Sequence, residues 1–187
     1  MTTIPDHWQL DGGWLSGVRR VVSPNCNPRP VGTWPELIVV HGISLPPGQF
    51  GGAHIEELFT NTLDPGGHPY FAKIAHLEVS AHFLIQRTGE MVQFVSTDER
   101  AWHAGVSSWC GRQQCNDFSI GVELEGSDDT RYEELQYKAL ITLIAVLRNH
   151  YQTIQADAIV GHSDIAPGRK TDPGPSFDWS RVRHAVR

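Results

Sequence analysis

Glycine and proline, more than any other residues, limit what this chain can become. Its 18 glycines and 12 prolines crowd into residues 23–69 and again into 161–175. Glycine opens backbone angles closed to other residues and proline withholds a hydrogen-bond donor, so both spans are predicted to be ordered loop rather than repeating structure. Regular elements are left to the short stretches between them, and the loops become the natural place for a site.

The apolar run Leu37-Ile38-Val39-Val40 is too short for a helix and has no polar face, so it reads as a strand buried on both sides that ends at His41-Gly42. Val79 to Val95 reads as two strands joined by a turn at Thr88-Gly89. Ser119 to Leu124 (SIGVEL) is a further buried strand followed by a polar turn, and Ala158-Ile159-Val160 is a brief one running into Gly161-His162. Helical spacing marks His54 to Phe59. Leu135, Ala139, Leu143, Val146 and Leu147 recur at three and four residues and predict a long amphipathic helix over Tyr132–His150, with Phe177–Val186 as a closing helix.

Strands interleaved with helices over one apolar core predict an α/β (α+β) fold, and the hairpin makes its central β-sheet mixed, with helices flanking it. Loops 42–53 and 161–176 leave neighbouring strand ends and are expected to meet at a common rim. With no linker and no internal repeat, residues 1–187 are expected to form a single domain, long enough to bury roughly 70% of its unfolded surface.

Composition narrows the function. Apolar residues at 40% and charged residues at 19% exclude intrinsic disorder. Fifteen basic against 21 acidic residues leave a net charge of −6, so neither nucleic acid nor an anionic membrane is an expected partner. No run approaches the roughly 20 apolar residues of a membrane span, and the opening MTTIPDHWQLDGGW lacks the layout of a signal peptide, so a cytoplasmic location is expected. Cys26, Cys110 and Cys115 form an odd, sparse set suited to a reducing compartment and are read as free thiols. There is no phosphate-cradling G-x-x-x-x-G-K-S/T loop and no G-x-S-x-G elbow. What stands out is 10 histidines beside 6 tryptophans.

Two of those histidines share a setting. His41 and His162 each follow a short apolar strand and begin a Gly/Pro-rich loop, the way a metal ligand is presented at a strand end. Ten residues after His162, in GHSDIAPGRKTDPGP, the stiff loop can return Asp172 beside it. Two histidines and a carboxylate suit Zn²⁺ with a fourth position open for water; the plain alternative is a pair of satisfied surface histidines, since no H-E-x-x-H signature is present. Lys170, two residues before Asp172, could stabilise an oxyanion or simply be solvated. Glu123 and Glu125 alternate onto one sheet face, and either could move a proton, although Glu125 at the strand end reads more naturally as a solvated rim charge. His82 reads as a core or supporting histidine. Trp102 and His103 would form a cleft wall, and His76 is a further histidine for which packing is as good a reading as chemistry.

In order along the chain stand IVVHGISLPPGQFGG, HLEVSAHFLIQRTGEMVQFV, RAWHAGVSSWCGRQQCNDFSIGVELEG and VGHSDIAPGRKTDPGPSFDW. This combination, from Trp14 to about Trp179, resembles the zinc-dependent N-acetylmuramoyl-L-alanine amidases, and within them the cytoplasmic AmpD type. The resemblance implies that His41, His162 and Asp172 bind Zn²⁺, that Glu123 rather than Glu125 activates water, and that Lys170 supports the oxyanion. It also implies a mixed sheet flanked by helices with long loops around the zinc cleft, and substrate contacts from Arg169, Trp102 and His103. Relatives acting on the wall often carry cysteine at the position of Asp172 and tyrosine at that of Ala81; neither is present here.

The implied reaction is hydrolysis of the lactyl amide between N-acetylmuramic acid, preferably its 1,6-anhydro form, and L-alanine of the stem peptide, by a monomer. Recycling these muropeptide fragments would lower the signal that induces β-lactamase. Gly42 stands where asparagine is common in the family, and Glu78 and Gln114 where arginines are frequent, all at positions associated with holding substrate. Two rivals are a non-catalytic peptidoglycan-recognition module, which should lack a ligand or the proton shuttle, and a secreted wall-lytic amidase, which should carry an export signal.

Overall fold

The computed structural model describes residues 8–186; residues 1–7, which include the start of MTTIPDHWQLDGGW, and Arg187 lie outside the described residues. In chain order come strands β1 (Leu10–Asp11), β2 (Trp14–Leu15), β3 (Arg19–Arg20), β4 (Cys26–Pro28) and β5 (Leu37–Ile43). Helices α1 (His54–Phe59) and α2 (Phe71–Ile74) follow, then strands β6 (Phe83–Ile85), β7 (Met91–Gln93), β8 (Glu99–Ala101), β9 (Ser108–Trp109), β10 (Arg112–Gln113) and β11 (Ser119–Glu125). The long helix α3 (Glu134–His150), strand β12 (Ile159–Gly161) and helices α4 (His162–Ile165) and α5 (Trp179–Ala185) complete the chain.

Six strands form the central sheet in the order β12-β5-β11-β6-β7-β3. Neighbours are parallel except β6 and β7, the predicted hairpin, which makes the sheet mixed. Parallel strands covered on both faces read as continuous apolar runs, which is why Leu37–Val40 was legible as buried. One residue set, Ile38, Val40, Ile120, Val122 and Leu124, packs against Leu140, Leu143, Ile144 and Leu147 of α3. The other face carries Leu37 and Val39 against Phe118 and Ile165, and Leu84 and Val92 against Leu58 and Phe59 of α1. Each such side chain, fully buried, contributes roughly 1.5–3 kcal/mol.

Four expectations change. Strand β5 does not end at His41 but runs on to Ile43, because β11 pairs with it through Glu125↔Ile43. The hairpin ladder covers only Phe83–Ile85 with Met91–Gln93, shorter than Val79–Val95. After His162 the chain makes the short helix α4 before it becomes loop. Helix α3 starts at Glu134, and Leu135 is 55% exposed rather than inward. The inward place belongs to Gln136, whose Oε1 accepts from Glu133 N at 2.9 Å while its Nε2 donates to Glu125 O and Ile85 O. An amide that caps the helix and satisfies two strand-end carbonyls outcompetes a leucine there.

Candidate active site

The site grows from the register of two strands. In the β5–β11 ladder Glu123 lies directly beside His41, so alternation turns both side chains to the face opposite α3. Strand β12, on the other side of β5, ends at Gly161 and delivers His162 as the first residue of α4. The loop after α4 then returns: Ser163 N donates to Asp172 O at 3.0 Å, holding Asp172 back against His162.

The three candidate ligands meet. His41 Nδ1 lies 2.9 Å from His162 Nδ1, Asp172 Oδ2 is 3.1 Å from His162 Nδ1 and 3.2 Å from His41 Nδ1. These edges are slightly shorter than the roughly 3.3 Å between donors that share a tetrahedral ion at roughly 2.0–2.1 Å. Both histidines are buried, and each has its Nε2 committed elsewhere, His162 to Ala104 O at 3.1 Å and His41 to His103 Nδ1 at 2.9 Å. Burial pushes His41 down to about 4, the nearby Asp172 carboxylate raising it only in part, so its imidazole is neutral near pH 7. Burial also works against the Asp172 carboxylate, but its close contacts with His162 and His41 outweigh it and hold it below the ordinary range. Two imidazoles and an ionised carboxylate converging on one point fit a divalent cation.

Glu123 stands at the edge of this triangle, its Oε1 4.0 Å from His41 Nδ1. Burial pushes its carboxyl well up, the Asp172 charge adds to that, and Lys170 partly offsets both. Its Oε2 is buried with no hydrogen-bond partner among the described residues. Such an orphaned acceptor is costly in a folded core and leaves this oxygen free for a group brought into the cleft. Lys170 is exposed on the wall of the same cleft, close enough to act on both His41 and Glu123. The cleft has a volume of about 580 Å³, ample for a sugar-peptide fragment.

The remaining expected residues have mixed fates. Trp102 is half-buried on the cleft wall, its Nε1 donating to Asn27 Oδ1 at 2.8 Å. Arg169 also borders the cleft, but its Nη2 donates to Ala104 O at 2.6 Å and Val106 O at 2.7 Å, tying down segment 104–106. His103 borders it too, yet both ring nitrogens are taken, Nδ1 by His41 and Nε2 by Ser119 Oγ at 3.1 Å, so as a substrate contact the ring has no nitrogen to offer. Glu125 is not a solvated rim charge. It is 5% exposed and accepts from Gly51 N and from Arg87 N at 3.2 Å, pinning the loop after β5 and the hairpin turn to the strand. His82 is fully buried, accepting from Gly121 N at 3.0 Å, whereas His76 and Glu78 are exposed.

Two contributors escape sequence reasoning. Tyr132 reaches under the site, its hydroxyl donating to Pro173 O at 2.9 Å next to Asp172. A Cβ on Gly42 would overlap that hydroxyl and one on Gly126 would overlap the Tyr132 ring, so the missing asparagine at position 42 is matched by room for a tyrosine. Ser119, at the start of β11, lies behind His103. Neither carries a local signal: a tyrosine ahead of a helix and a serine opening an apolar strand are ordinary.

A mixed sheet whose rim gathers two imidazoles, an ionised carboxylate and a buried glutamate describes a hydrolase. Residues 30–175 match the N-acetylmuramoyl-L-alanine amidase family, and the chain belongs to that family. It is 59% identical over 177 residues to the 1,6-anhydro-N-acetylmuramyl-L-alanine amidase AmpD of Citrobacter freundii, covering 95% of this chain and 94% of the relative. A crystal structure of a selenomethionine AmpD derivative superposes with a TM-score of 0.92 at 59% identity, over 95% of this chain and 99% of that one. The amidase AmiD from E. coli, solved with the substrate anhydro-N-acetylmuramic acid-L-Ala-D-γ-Glu-L-Lys, is similar at a TM-score of 0.60 and 27% identity, over 97% of this chain and 66% of AmiD.

Proposed function

We propose that this chain is a monomeric, cytoplasmic, zinc-dependent amidase. It cleaves the amide between 1,6-anhydro-N-acetylmuramic acid and L-alanine of the stem peptide, recycles wall fragments and thereby limits β-lactamase induction. The observation that carries this reading is the triangle of His41, His162 and Asp172 with Glu123 buried at its edge. The whole chain serves as one catalytic domain. A non-catalytic recognition module has no use for an orphaned buried carboxylate beside such a donor set. The net charge of −6 supports a partner that is neither nucleic acid nor an anionic bilayer.

Zinc held by His41, His162 and Asp172 would supply a Lewis acid that polarises the scissile carbonyl and makes water more acidic. Glu123 accepts the proton of the attacking water as the new C–O bond forms, then delivers it to the alanine nitrogen as the C–N bond breaks. Its raised affinity for a proton suits a group that must hold one between those two events. Lys170 places a positive charge by the oxygen that turns anionic. Trp102 offers an aromatic wall for the sugar, and Arg169 anchors segment 104–106 with donors near a peptide carboxylate.

The test is product analysis. Purified zinc-loaded protein incubated with anhydromuramoyl tripeptide should release free anhydro sugar and tripeptide by mass, and leave intact cell wall largely uncleaved. No release from the soluble substrate with zinc bound would end this reading, and release from wall alone would favour the wall-lytic one.

A further inference from the structure

Behind the donor triangle a line of hydrogen bonds has one consistent direction. Ser119 Oγ lies 2.6 Å from Cys115 O, and a carbonyl can only accept, so the serine proton is committed there. Ser119 Oγ, 3.1 Å from His103 Nε2, therefore accepts from it. With that proton on Nε2, His103 Nδ1 is bare and accepts from His41 Nε2 at 2.9 Å. His41 Nδ1 is left with an unprotonated lone pair facing His162 and Asp172.

The seat of His103 is built for this. Its ring lies over Gly121 in β11, where a Cβ would fall 2.5 Å from the ring, and it meets His41 edge-on with centroids 5.0 Å apart. Asn116 Oδ1 accepts from both His103 N, at 3.1 Å, and Ala104 N, at 2.8 Å. The same dipeptide thus serves both histidines, His103 through its side chain and Ala104 through its carbonyl on His162 Nε2.

We infer that His103, set by Ser119, is a positioning residue that locks His41 in the tautomer with its proton on Nε2, so that Nδ1 is ready for a divalent ion before one arrives. Outer partners of this kind typically change metal affinity by 10–100-fold. The inference rests on the zinc reading above for its consequence, but the tautomer itself can be measured without metal.

Long-range ¹H–¹⁵N correlation on metal-free, histidine-labelled protein near neutral pH should show His41 protonated at Nε2 and bare at Nδ1; a proton on Nδ1 overturns the inference. Ser119→Ala and His103→Leu should each weaken zinc binding about 10–100-fold in chelator competition, while His103→Gln, which keeps an acceptor for His41, should recover most of the loss. Unchanged affinity, within twofold, in folded Ser119→Ala and His103→Leu also overturns it. A wild-type protein that binds no zinc would defeat the functional reading instead, and the tautomer spectrum would still decide this one.

Discussion

The two faces of strand β11 make an instructive pair. Ile120, Val122 and Leu124 point to α3 and are fully buried among apolar neighbours. On the other face, Ser119, Gly121, Glu123 and Glu125 follow one another and are also buried, but among imidazoles, amides and carbonyls. One backbone thus serves both a core that only needs volume and a core that needs every proton placed. The apolar face tolerates exchange at a cost in stability, whereas the polar face tolerates it at a cost in chemistry, because buried polar groups are satisfied by particular partners.

The sharpest way to separate the faces is to withhold the proposed zinc. Prolonged dialysis against a chelator should abolish amide cleavage while circular dichroism stays native-like, and stoichiometric zinc should restore turnover. Next in size, Glu123→Gln keeps shape but not basicity, and should lower kcat by about 10²–10⁴ with zinc content unchanged by elemental analysis. Lys170→Ala should lose about 10²–10³ in kcat, again with zinc retained; full turnover in that variant would remove Lys170 from the mechanism.

The apolar face should behave in the opposite way. Leu124→Ala should cost about 2–5 kcal/mol in urea unfolding, with kcat of the folded fraction nearly unchanged. The smallest effect concerns His82, which burial, aided by the nearby Arg29 charge, pushes down to about 3 from an ordinary 6.5. Between those values the unfolded chain binds one more proton than the folded one, so stability falls as the pH drops below 6.5. For metal-free protein the loss from this group should reach about 2 kcal/mol by pH 5. His82→Gln should flatten that slope in urea titrations.

Much of the apolar face was legible because its signals are local. Leu37–Val40 and Ser119–Leu124 are runs with no competing helical period, and they form strands β5 and β11. The mixed, helix-flanked sheet followed from them and from one hairpin. Reading failed where one side chain's partners lie far away in sequence. Glu125 looked solvated because the amides that bury it come from Gly51 and Arg87. Leu135 fitted the helical period, yet Gln136 took the inward position because carbonyls of β6 and β11 needed a donor. His103 does line the cleft as expected, but its use of both nitrogens within the protein carries no local signal, because it depends on Ser119 and His41 arriving from two different strands.

Amino-acid order alone settled which segments bury themselves and which residue types are on hand for hydrolysis, since alternation, apolar runs and Gly/Pro breaks act over a few neighbours. Only the assembled sheet decided that His41 sits beside Glu123, that Asp172 folds back onto His162, and which nitrogen of each imidazole faces the site. Those outcomes depend on strand register and on side-chain neighbours up to 121 residues apart, and no local preference encodes a partner at that distance.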